Sequence, residues 1–399
     1  MVFINFLWLL VWGGIFSGIY NIQTSIFLTN PLAFIQGSRA LLPILAAYIS
    51  IIWIFASKSR FPFFKTPIGL LFYYCLTGIV TSLFLSPDTL TSVYWASVYL
   101  SPLLVVWIAL ENTDSLSILR RLICTNYALF IVVTVCLLPQ AFKIVKGKLP
   151  FDQFYDLPFN FGQIRSNGVG RFALVVIIIS FVRLITQMKK QRFLWLIPIF
   201  PSLLLLAQAQ SRTALLGLAV SSFLYVYLKG INWRFLFVGP ISAYVIWLSG
   251  FKWRLNGDIE KLMYLTGREF TWQKGIEQIK HSPFLGWGFH ADRILLQSEH
   301  MHNSYLHAMI HAGLIGTIFF IGAIFGTWLL IYRTNLLKRV RSIQGVDQTI
   351  LMDSILILGF LTARSFFEST AAFYGVDLLL LVPSMTYIYL WIQENPYSS

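Results

Sequence analysis

Histidine is concentrated in one short stretch of this sequence. All six histidines lie between positions 281 and 311: His281, His290, His300, His302, His307 and His311. The sharpest pattern is His302-Asn303, followed after nine residues by Gly313-Leu-Ile-Gly316. Asn303 or Ser304 suits the N-cap of the helix that follows, so His302 is expected just outside that helix. A neutral imidazole there could take the proton of an attacking hydroxyl group, although a solvated loop histidine beside a helix cap would show the same local pattern.

Three arginines each lie beside the predicted N-terminus of a helix. Arg165 stands before one span, Arg212 opens another, and Arg268 lies in the first turn of a short loop helix. Unpaired backbone N–H groups and the helix dipole favour an anion at such a position, and a guanidinium adds a bidentate fork suited to phosphate. Together they predict a pyrophosphate site, although each one alone could equally be an anchor at the membrane interface. Arg171 is a weaker candidate, because snorkelling toward the interface also accounts for it.

Two further pairs have helical spacing. His307 and His311 are four residues apart, so one helix face would carry both, which suits a metal ion. No Glu or Asp completes such a set nearby in the sequence, so we predict no bound metal. Arg364 and Glu368 are also four apart near the last spans, where charges are usually paired. We interpret that second pair as structural.

Composition places the elements that hold these residues in a lipid bilayer. Of the 399 residues, 57% are apolar and 12% are charged, which excludes a chain of ordinary soluble domains. A helix of about 20 apolar residues crosses the hydrocarbon core, and such stretches recur along the whole chain. We predict an all-α polytopic membrane protein, a single transmembrane domain over 1–399. About twelve spans are expected, at 2–20, 40–56, 67–86, 93–110, 120–138, 169–187, 193–209, 213–228, 235–250, 304–332, 350–366 and 372–392.

Basic residues set the expected orientation of these spans. Lys and Arg collect in the short loops after the even-numbered spans, whereas the odd-numbered loop 86–92 has neither. By the positive-inside rule, the basic loops and both termini are cytoplasmic. Residues 2–20 lack a basic leader and a small-residue cleavage site, so they are interpreted as a retained span.

Two longer segments, 139–168 and 251–303, then fall on the external side. The second collects seven basic residues, which favours a polyanionic partner: Lys252, Arg254, Lys261, Arg268, Lys274, Lys280 and Arg293. Thr266-Gly-Arg-Glu269 has the pattern of a capping box, and Trp272, Ile276 and Ile279 follow at helical spacing. A short amphipathic helix along the membrane surface is therefore expected, ending at Ser282-Pro283.

These motifs resemble the O-antigen ligases and the related O-antigen polymerases of bacterial envelope polysaccharide synthesis. The resemblance runs over roughly 160–320. It rests on Arg165-Ser-Asn-Gly168, Ser211-Arg-Thr213, Thr266-Gly-Arg268, Ser282-Pro-Phe-Leu-Gly286, and above all His302-Asn303 with Gly313 and Gly316.

The resemblance implies a largely α-helical glycosyltransferase of the GT-C type that needs no nucleotide sugar, cofactor or metal. Its donor is a glycan on undecaprenyl pyrophosphate, and its acceptor is lipid A-core in ligases or a second lipid-linked glycan in polymerases. It works at the periplasmic face of the bacterial inner membrane. His302 then acts as base or positions the acceptor hydroxyl, Arg165, Arg212 and Arg268 hold the pyrophosphate, and Arg171 and Asn303 support them. Many relatives have Glu at the position of His311, so the role of His311 stays open.

Other functions remain open at this stage. Ligation is favoured over polymerisation, from which it differs only in the acceptor. A transporter of lipid-linked oligosaccharide usually builds its site at the membrane midplane from repeated halves, whereas here the candidates cluster at one surface and no repeat is visible. A purely structural role leaves the histidine cluster unexplained. The expected partners are the glycan donor, the acceptor and membrane lipid, with no nucleic acid.

Overall fold

The computed structural model describes residues 2–15, 39–57, 63–145, 154–156, 163–186, 192–231, 268–297 and 299–396. These residues form helices, apart from turns and one antiparallel pair of short strands, Phe154–Asp156 (β1) and Gln163–Arg165 (β2). The predicted all-α architecture is confirmed.

The α-helices cover most of the described chain. Eight helices among the described residues are long and apolar enough to cross a bilayer, so this is a multi-pass membrane protein. The helices are α1 (Val2–Gly13), α2 (Leu42–Ser57), α3 (Pro67–Phe84), α4 (Thr89–Leu110), α5 (Ser115–Val145), α6 (Ser166–Thr186), α7 (Leu196–Ala209), α8 (Arg212–Lys229), α9 (Arg268–His281), α10 (Ala291–Leu295), α11 (Ser304–Arg333), α12 (Leu336–Arg339), α13 (Val346–Arg364) and α14 (Val376–Glu394).

Each predicted span within the described residues coincides with a helix, but α1, α7 and α8 are not among the eight helices that are long and apolar enough to cross a bilayer. The predicted span 235–250, the end of the span 2–20, and Thr266 of the predicted capping box lie outside the described residues. The fifth span was predicted to end at residue 138, but α5 continues to Val145. The cytoplasmic and external assignments of the loops, including 139–168 and 251–303, stay predictions.

Contacts divide the chain into two compact units. The first comprises Met1–Cys124, Arg268–Leu330 and Ser365–Ser399, and the second comprises Thr125–Gly267 and Ile331–Arg364. That residues 1–399 form one transmembrane domain stays a prediction.

In the first unit, α3 and α4 pack against the segment around Phe289, which lies among the histidines. Phe289 packs against the rings of Tyr74 and Tyr99, with centroids 5.6 and 5.1 Å away. The two tyrosine hydroxyls donate to the carbonyls of Ala372 (2.7 Å) and Ala371 (3.0 Å). Buried hydroxyls need hydrogen-bond partners, so these bonds hold the turn before α14 against α3 and α4.

The predicted short helix is present as α9, but its buried face differs from the predicted one. Trp272 and Ile279 pack against an apolar cluster that includes Met301, as the pattern predicted. Ile276, by contrast, is 41% exposed. Gly275 lies on the buried face instead, where Met301 approaches so closely that a side chain at that position would collide with it.

The tenth span was predicted as a continuous helix, but α11 is broken at Gly313. Gly313 has φ 59° and ψ −164°, a conformation that is essentially restricted to glycine. The backbone of the turn at residues 283–288 lies against this break. It makes hydrogen bonds to backbone groups of α11 on both sides of Gly313. The bonds run from Leu314 N to Pro283 O (2.8 Å), from Ile315 N to Phe284 O (3.2 Å), from Trp287 N to Ile310 O (2.6 Å) and from Gly288 N to His311 O (2.9 Å).

The glycines of the two motifs allow this close approach. A Cβ atom on Gly286, whose φ is +75°, would lie 2.6 Å from the backbone nitrogen of Gly313. A Cβ atom on Gly313 would lie 2.2 Å from the carbonyl carbon of Phe284. The motif Ser282-Pro-Phe-Leu-Gly286 and the glycine of the His-Asn motif are therefore two sides of one backbone contact.

Gly313→Ala is expected to destabilise the protein by at least about 1–3 kcal/mol, since alanine adopts this conformation only with strain and its Cβ meets backbone. Thermal unfolding of the purified protein in detergent would show this as a lower Tm. Gly326→Ala is the matched control, because Gly326 lies in the same helix with open space around it. Equal Tm values for both variants would contradict the role given to Gly313.

The second unit packs α6 against α7, α8 and α13. A buried ion pair joins α6 to α13, with Arg183 Nη1 2.7 Å from Asp353 Oδ2. Arg183 also lies over the rings of Tyr127 and Trp195. Breaking a buried pair of this kind typically costs about 3–5 kcal/mol, because it leaves one charge buried without its partner.

Candidate active site

His302 lies immediately before α11, as predicted. Asn303 is the cap, because its Oδ1 accepts hydrogen bonds from the backbone nitrogens of Tyr305 (2.9 Å) and Leu306 (3.0 Å). The Asn303 amide also donates to the carbonyl of Phe366 (3.0 Å). His302 adopts a left-handed conformation with φ 47°, which a non-glycine residue holds only when its surroundings enforce it.

Glu368 joins His302 to Arg268. Its Oε2 lies 3.0 Å from His302 Nδ1, and its Oε1 lies 2.8 Å from Arg268 Nη2. Arg268 also donates to the carbonyl of Phe367. The Glu368 side chain is 9% exposed and that of His302 is 27% exposed, so the imidazole is the more accessible partner. The structure thus brings together two of the predicted site residues through Glu368, which the sequence analysis interpreted only as a structural partner of Arg364.

The backbone around Glu368 is tied to the start of α11. Ser304 Oγ donates to the carbonyl of Glu368 (2.9 Å) and accepts from the backbone nitrogen of Thr370 (2.7 Å). The backbone nitrogen of Ser304 donates to the carbonyl of Ser365 (2.9 Å). These bonds hold the carboxylate and the imidazole in one fixed arrangement.

This arrangement selects one tautomer of His302. A carboxylate accepts hydrogen bonds, so Glu368 favours the proton on Nδ1 and leaves the Nε2 lone pair available. An imidazole of this kind can accept a proton from a hydroxyl group, and the carboxylate then stabilises the imidazolium.

A second polar cluster lies behind His302. A cavity of about 100 Å³ is lined by Trp95, Phe289, His290, Asp292, Arg293, His300, His307, His311, Phe373 and Tyr374. Asp292 Oδ1 lies 3.4 Å from His307 Nε2 and 3.6 Å from His311 Nε2. His300 connects this cluster to His302, since the backbone nitrogen of His302 donates to His300 Nδ1 (3.2 Å).

His311 is fully occupied within this cluster. Its Nε2 accepts from the backbone nitrogen of His290 (3.1 Å), and its Nδ1 lies 3.3 Å from the hydroxyl of Tyr74. Because that hydroxyl donates to Ala372, His311 Nδ1 is the donor of the second contact. His311 is therefore a buried neutral imidazole, and its supporting role stays a prediction.

Burial shapes the ionisation of the cluster outside the spans. Burial lowers the pKa of His290 to about 4. Burial, reinforced by neighbouring His307, holds the pKa of His300 well below its usual value. Burial alone would raise the pKa of Asp292, but the neighbouring imidazoles, His307 foremost, outweigh it and lower that pKa well below its usual range. The cavity thus combines the neutral imidazoles of His290 and His300 with an ionised carboxylate.

Arg165, Arg171 and Arg212 belong to the second unit. Arg165 ends β2 directly before α6 and is exposed, and Arg212 is the first residue of α8. The first turns of α6 and α8 adjoin, since a Cβ on Gly170 would lie 2.7 Å from Ser211 Cβ. This unit therefore presents arginines beside two neighbouring helix N-termini, as predicted. Their convergence with His302 on one pyrophosphate stays a prediction.

Part of the chain is similar in sequence to known proteins. Residues 197–321 match the family model described as O-antigen ligase. This stretch is similar to the O-antigen ligase family. It includes Arg212, Arg268 and His302, whereas Arg165 and Glu368 lie outside it. The predicted resemblance is confirmed.

The chain is also similar to a curated relative, the exopolysaccharide production protein ExoQ of Rhizobium meliloti (strain 1021). The two are 29% identical over 126 residues, which is 26% of this chain and 29% of the relative. The match thus spans less than a third of that relative's length. Both comparisons support a membrane enzyme of the ligase or polymerase type.

Proposed function

We propose that this protein is a membrane glycosyltransferase that moves a glycan from undecaprenyl pyrophosphate to a sugar hydroxyl. The reaction takes place at the periplasmic face of a bacterial inner membrane, with the termini of the chain in the cytoplasm. The observation that carries this proposal is the bridge that Glu368 makes between His302 and Arg268. It joins a general base to a phosphate-binding side chain at the start of a membrane helix.

The first step of the proposed mechanism is activation of the acceptor. His302 Nε2 accepts the proton of the acceptor hydroxyl while the hydroxyl oxygen forms a bond to the anomeric carbon of the donor glycan. The bond between that carbon and the pyrophosphate oxygen breaks, and its electron pair stays with the pyrophosphate. The proton remains on His302, where the Glu368 carboxylate 3.0 Å away stabilises the imidazolium.

The second requirement is stabilisation of the leaving group. Pyrophosphate gains negative charge as the bond breaks, and preorganised donors in a partly dry site stabilise that charge better than water does. Arg268 donates from Nη1 to the carbonyl of Phe367 and from Nη2 to the Glu368 carboxylate, and its side chain is 16% exposed. A guanidinium has five N–H donors, so Arg268 can hold the carboxylate and contact phosphate together. A charge-assisted contact of this kind is worth about 1.5–3 kcal/mol, and the further contacts expected from Arg165 and Arg212 stay a prediction.

The acceptor distinguishes two versions of this function. The family description favours ligation, in which the acceptor is lipid A-core. The relative with a role in exopolysaccharide production favours the alternative, a polymerase that uses a second lipid-linked glycan. No nucleotide sugar, cofactor or catalytic metal takes part in either version.

The test uses purified protein in lipid nanodiscs with a glycan on undecaprenyl pyrophosphate, with or without lipid A-core. Glycosylated lipid A-core formed only when that acceptor is present supports the ligase. A ladder of longer lipid-linked chains formed without it supports the polymerase. Transbilayer movement of labelled donor in proteoliposomes, with no new glycosidic bond in either condition, would overturn both in favour of a transporter.

A further inference from the structure

Asp292 supplies the acidic residue that the sequence did not place beside His307 and His311. It lies in α10, whereas His307 lies on α11 and His300 lies in the segment between the two helices. One ligand atom from each of Asp292, His300 and His307 falls within 4.8 Å of the others. Asp292 and His307 are buried, with 1% and 2% of their surface exposed. Three segments of the first unit therefore bring a carboxylate and two imidazoles to one point.

The one distance between two of these ligands fits a metal ion better than a direct hydrogen bond. Asp292 Oδ1 lies 3.4 Å from His307 Nε2. N–H···O hydrogen bonds have donor–acceptor distances of about 2.7–3.2 Å. By contrast, tetrahedral ligands at about 2.0–2.2 Å from an ion lie about 3.3–3.6 Å from one another.

Two polar atoms of the cluster have no partner within the described residues. Asp292 Oδ2 and His307 Nδ1 are buried and make no hydrogen bond. Leaving a buried polar group unsatisfied costs about 1–3 kcal/mol, and more when the group is charged. A cation beside Asp292, with water in the cavity of about 100 Å³, would relieve this cost.

His300 has the support that metal-binding histidines usually have. Its Nδ1 lies 3.1 Å from Ser369 Oγ, and such a second contact orients the ring of a metal ligand. Binding through Nε2 requires the proton to be on Nδ1, which would then donate to the Ser369 hydroxyl. In that tautomer the backbone N–H of His302 loses its acceptor on His300, so occupancy of the site would affect the residue that we propose as the base.

We propose that Asp292, His300 and His307 bind a divalent first-row transition metal, with Zn²⁺ as the best fit. Two imidazoles, one carboxylate and a water molecule form a tetrahedral set that Zn²⁺ favours. The ion holds α10 and the segment before His302 against α11. The role that we assign to the ion is structural, and the site does not depend on the proposed glycosyl transfer.

The test is metal analysis of the purified chain in nanodiscs. Protein stripped with chelator is loaded with Zn²⁺, desalted and analysed by elemental mass spectrometry, and Co²⁺ loading is followed by visible absorption. About one ion per chain and the intense bands of tetrahedral Co²⁺ are expected. Loss of a side chain that only supports a metal ligand weakens metal binding by roughly 10–100-fold. Asp292→Asn and His307→Gln remove ligands themselves, so each should weaken Zn²⁺ binding by more than this.

One pair of control variants shows whether the metal binds at this site, and a third variant shows whether metal binding is independent of the transfer reaction. Asp114→Asn and His281→Gln change the same residue types at exposed positions and should bind Zn²⁺ as the wild type does. His302→Ala should keep its metal even where transfer is lost. The proposal is overturned if the folded wild type retains less than about a tenth of an ion per chain, or if Asp292→Asn binds Zn²⁺ as tightly as the wild type does.

Discussion

His302→Ala is expected to lower kcat for glycosyl transfer by about 10²–10⁴-fold, the usual contribution of a positioned general base. The alanine variant keeps the cap of α11, because that cap comes from Asn303. It also keeps the ion pair between Arg268 and Glu368. Initial rates measured in nanodiscs over a range of donor concentrations would show a large fall in kcat with little change in KM for the donor.

A matched control is His281→Ala, which removes an exposed histidine at the end of α9. It should retain nearly wild-type rates. If purified, folded His302→Ala turned over within about threefold of the wild type, His302 could not be the base.

Glu368→Gln is expected to produce a loss of similar size. Glutamine keeps the shape of the side chain but removes the charge, and its amide can donate to His302 Nδ1. That contact would favour the tautomer with the proton on Nε2, which cannot accept a proton from the acceptor. In hydrolytic triads the equivalent carboxylate-to-amide change lowers kcat by about 10⁴-fold, so a fall of about 10²–10⁴-fold is expected here.

Two further variants distinguish positioning from loss of stability. Glu368→Asp keeps the charge on a shorter side chain and should recover part of the rate. Glu277→Gln, at an exposed position of α9, should have no effect. The folded fraction of the Glu368→Gln protein should be measured beside its rate. If the rate falls only as much as the folded fraction does, the carboxylate contributes to stability alone.

The helices and the start of the site follow from local sequence. Apolar stretches of bilayer length predicted the spans, because a helix satisfies its backbone within one segment and needs no distant partner. The cap of α11, expected at Asn303 or Ser304 and found at Asn303, and the end of α9 at Ser282-Pro283 are also local features.

The parts that were missed depend on contacts between distant segments. Glu368 is 66 residues from His302 and 100 residues from Arg268. The sequence suggested only its neighbour Arg364 as a partner. Asp292 was overlooked for the same reason, because it lies on α10 and meets His307 of α11 only through tertiary packing. Such pairings are set by tertiary packing, which helical periodicity does not encode.

The break in α11 is a mixed case. Gly313 was recognised as part of a motif, but a glycine within an apolar span is compatible with a continuous helix. The reason for the break lies in the turn at Pro283 and Phe284, whose carbonyls accept from Leu314 and Ile315. Neither segment reveals this contact by itself.

The central claim is that His302 and Glu368 act as one catalytic unit on the acceptor hydroxyl. The most direct test is kcat for the double variant His302→Ala/Glu368→Gln beside the two single variants, all in the same nanodisc assay. Residues that act as a unit are strongly non-additive, so the double variant should be no slower than His302→Ala alone within about threefold. If the two single losses instead multiply, the residues act independently and the account is contradicted.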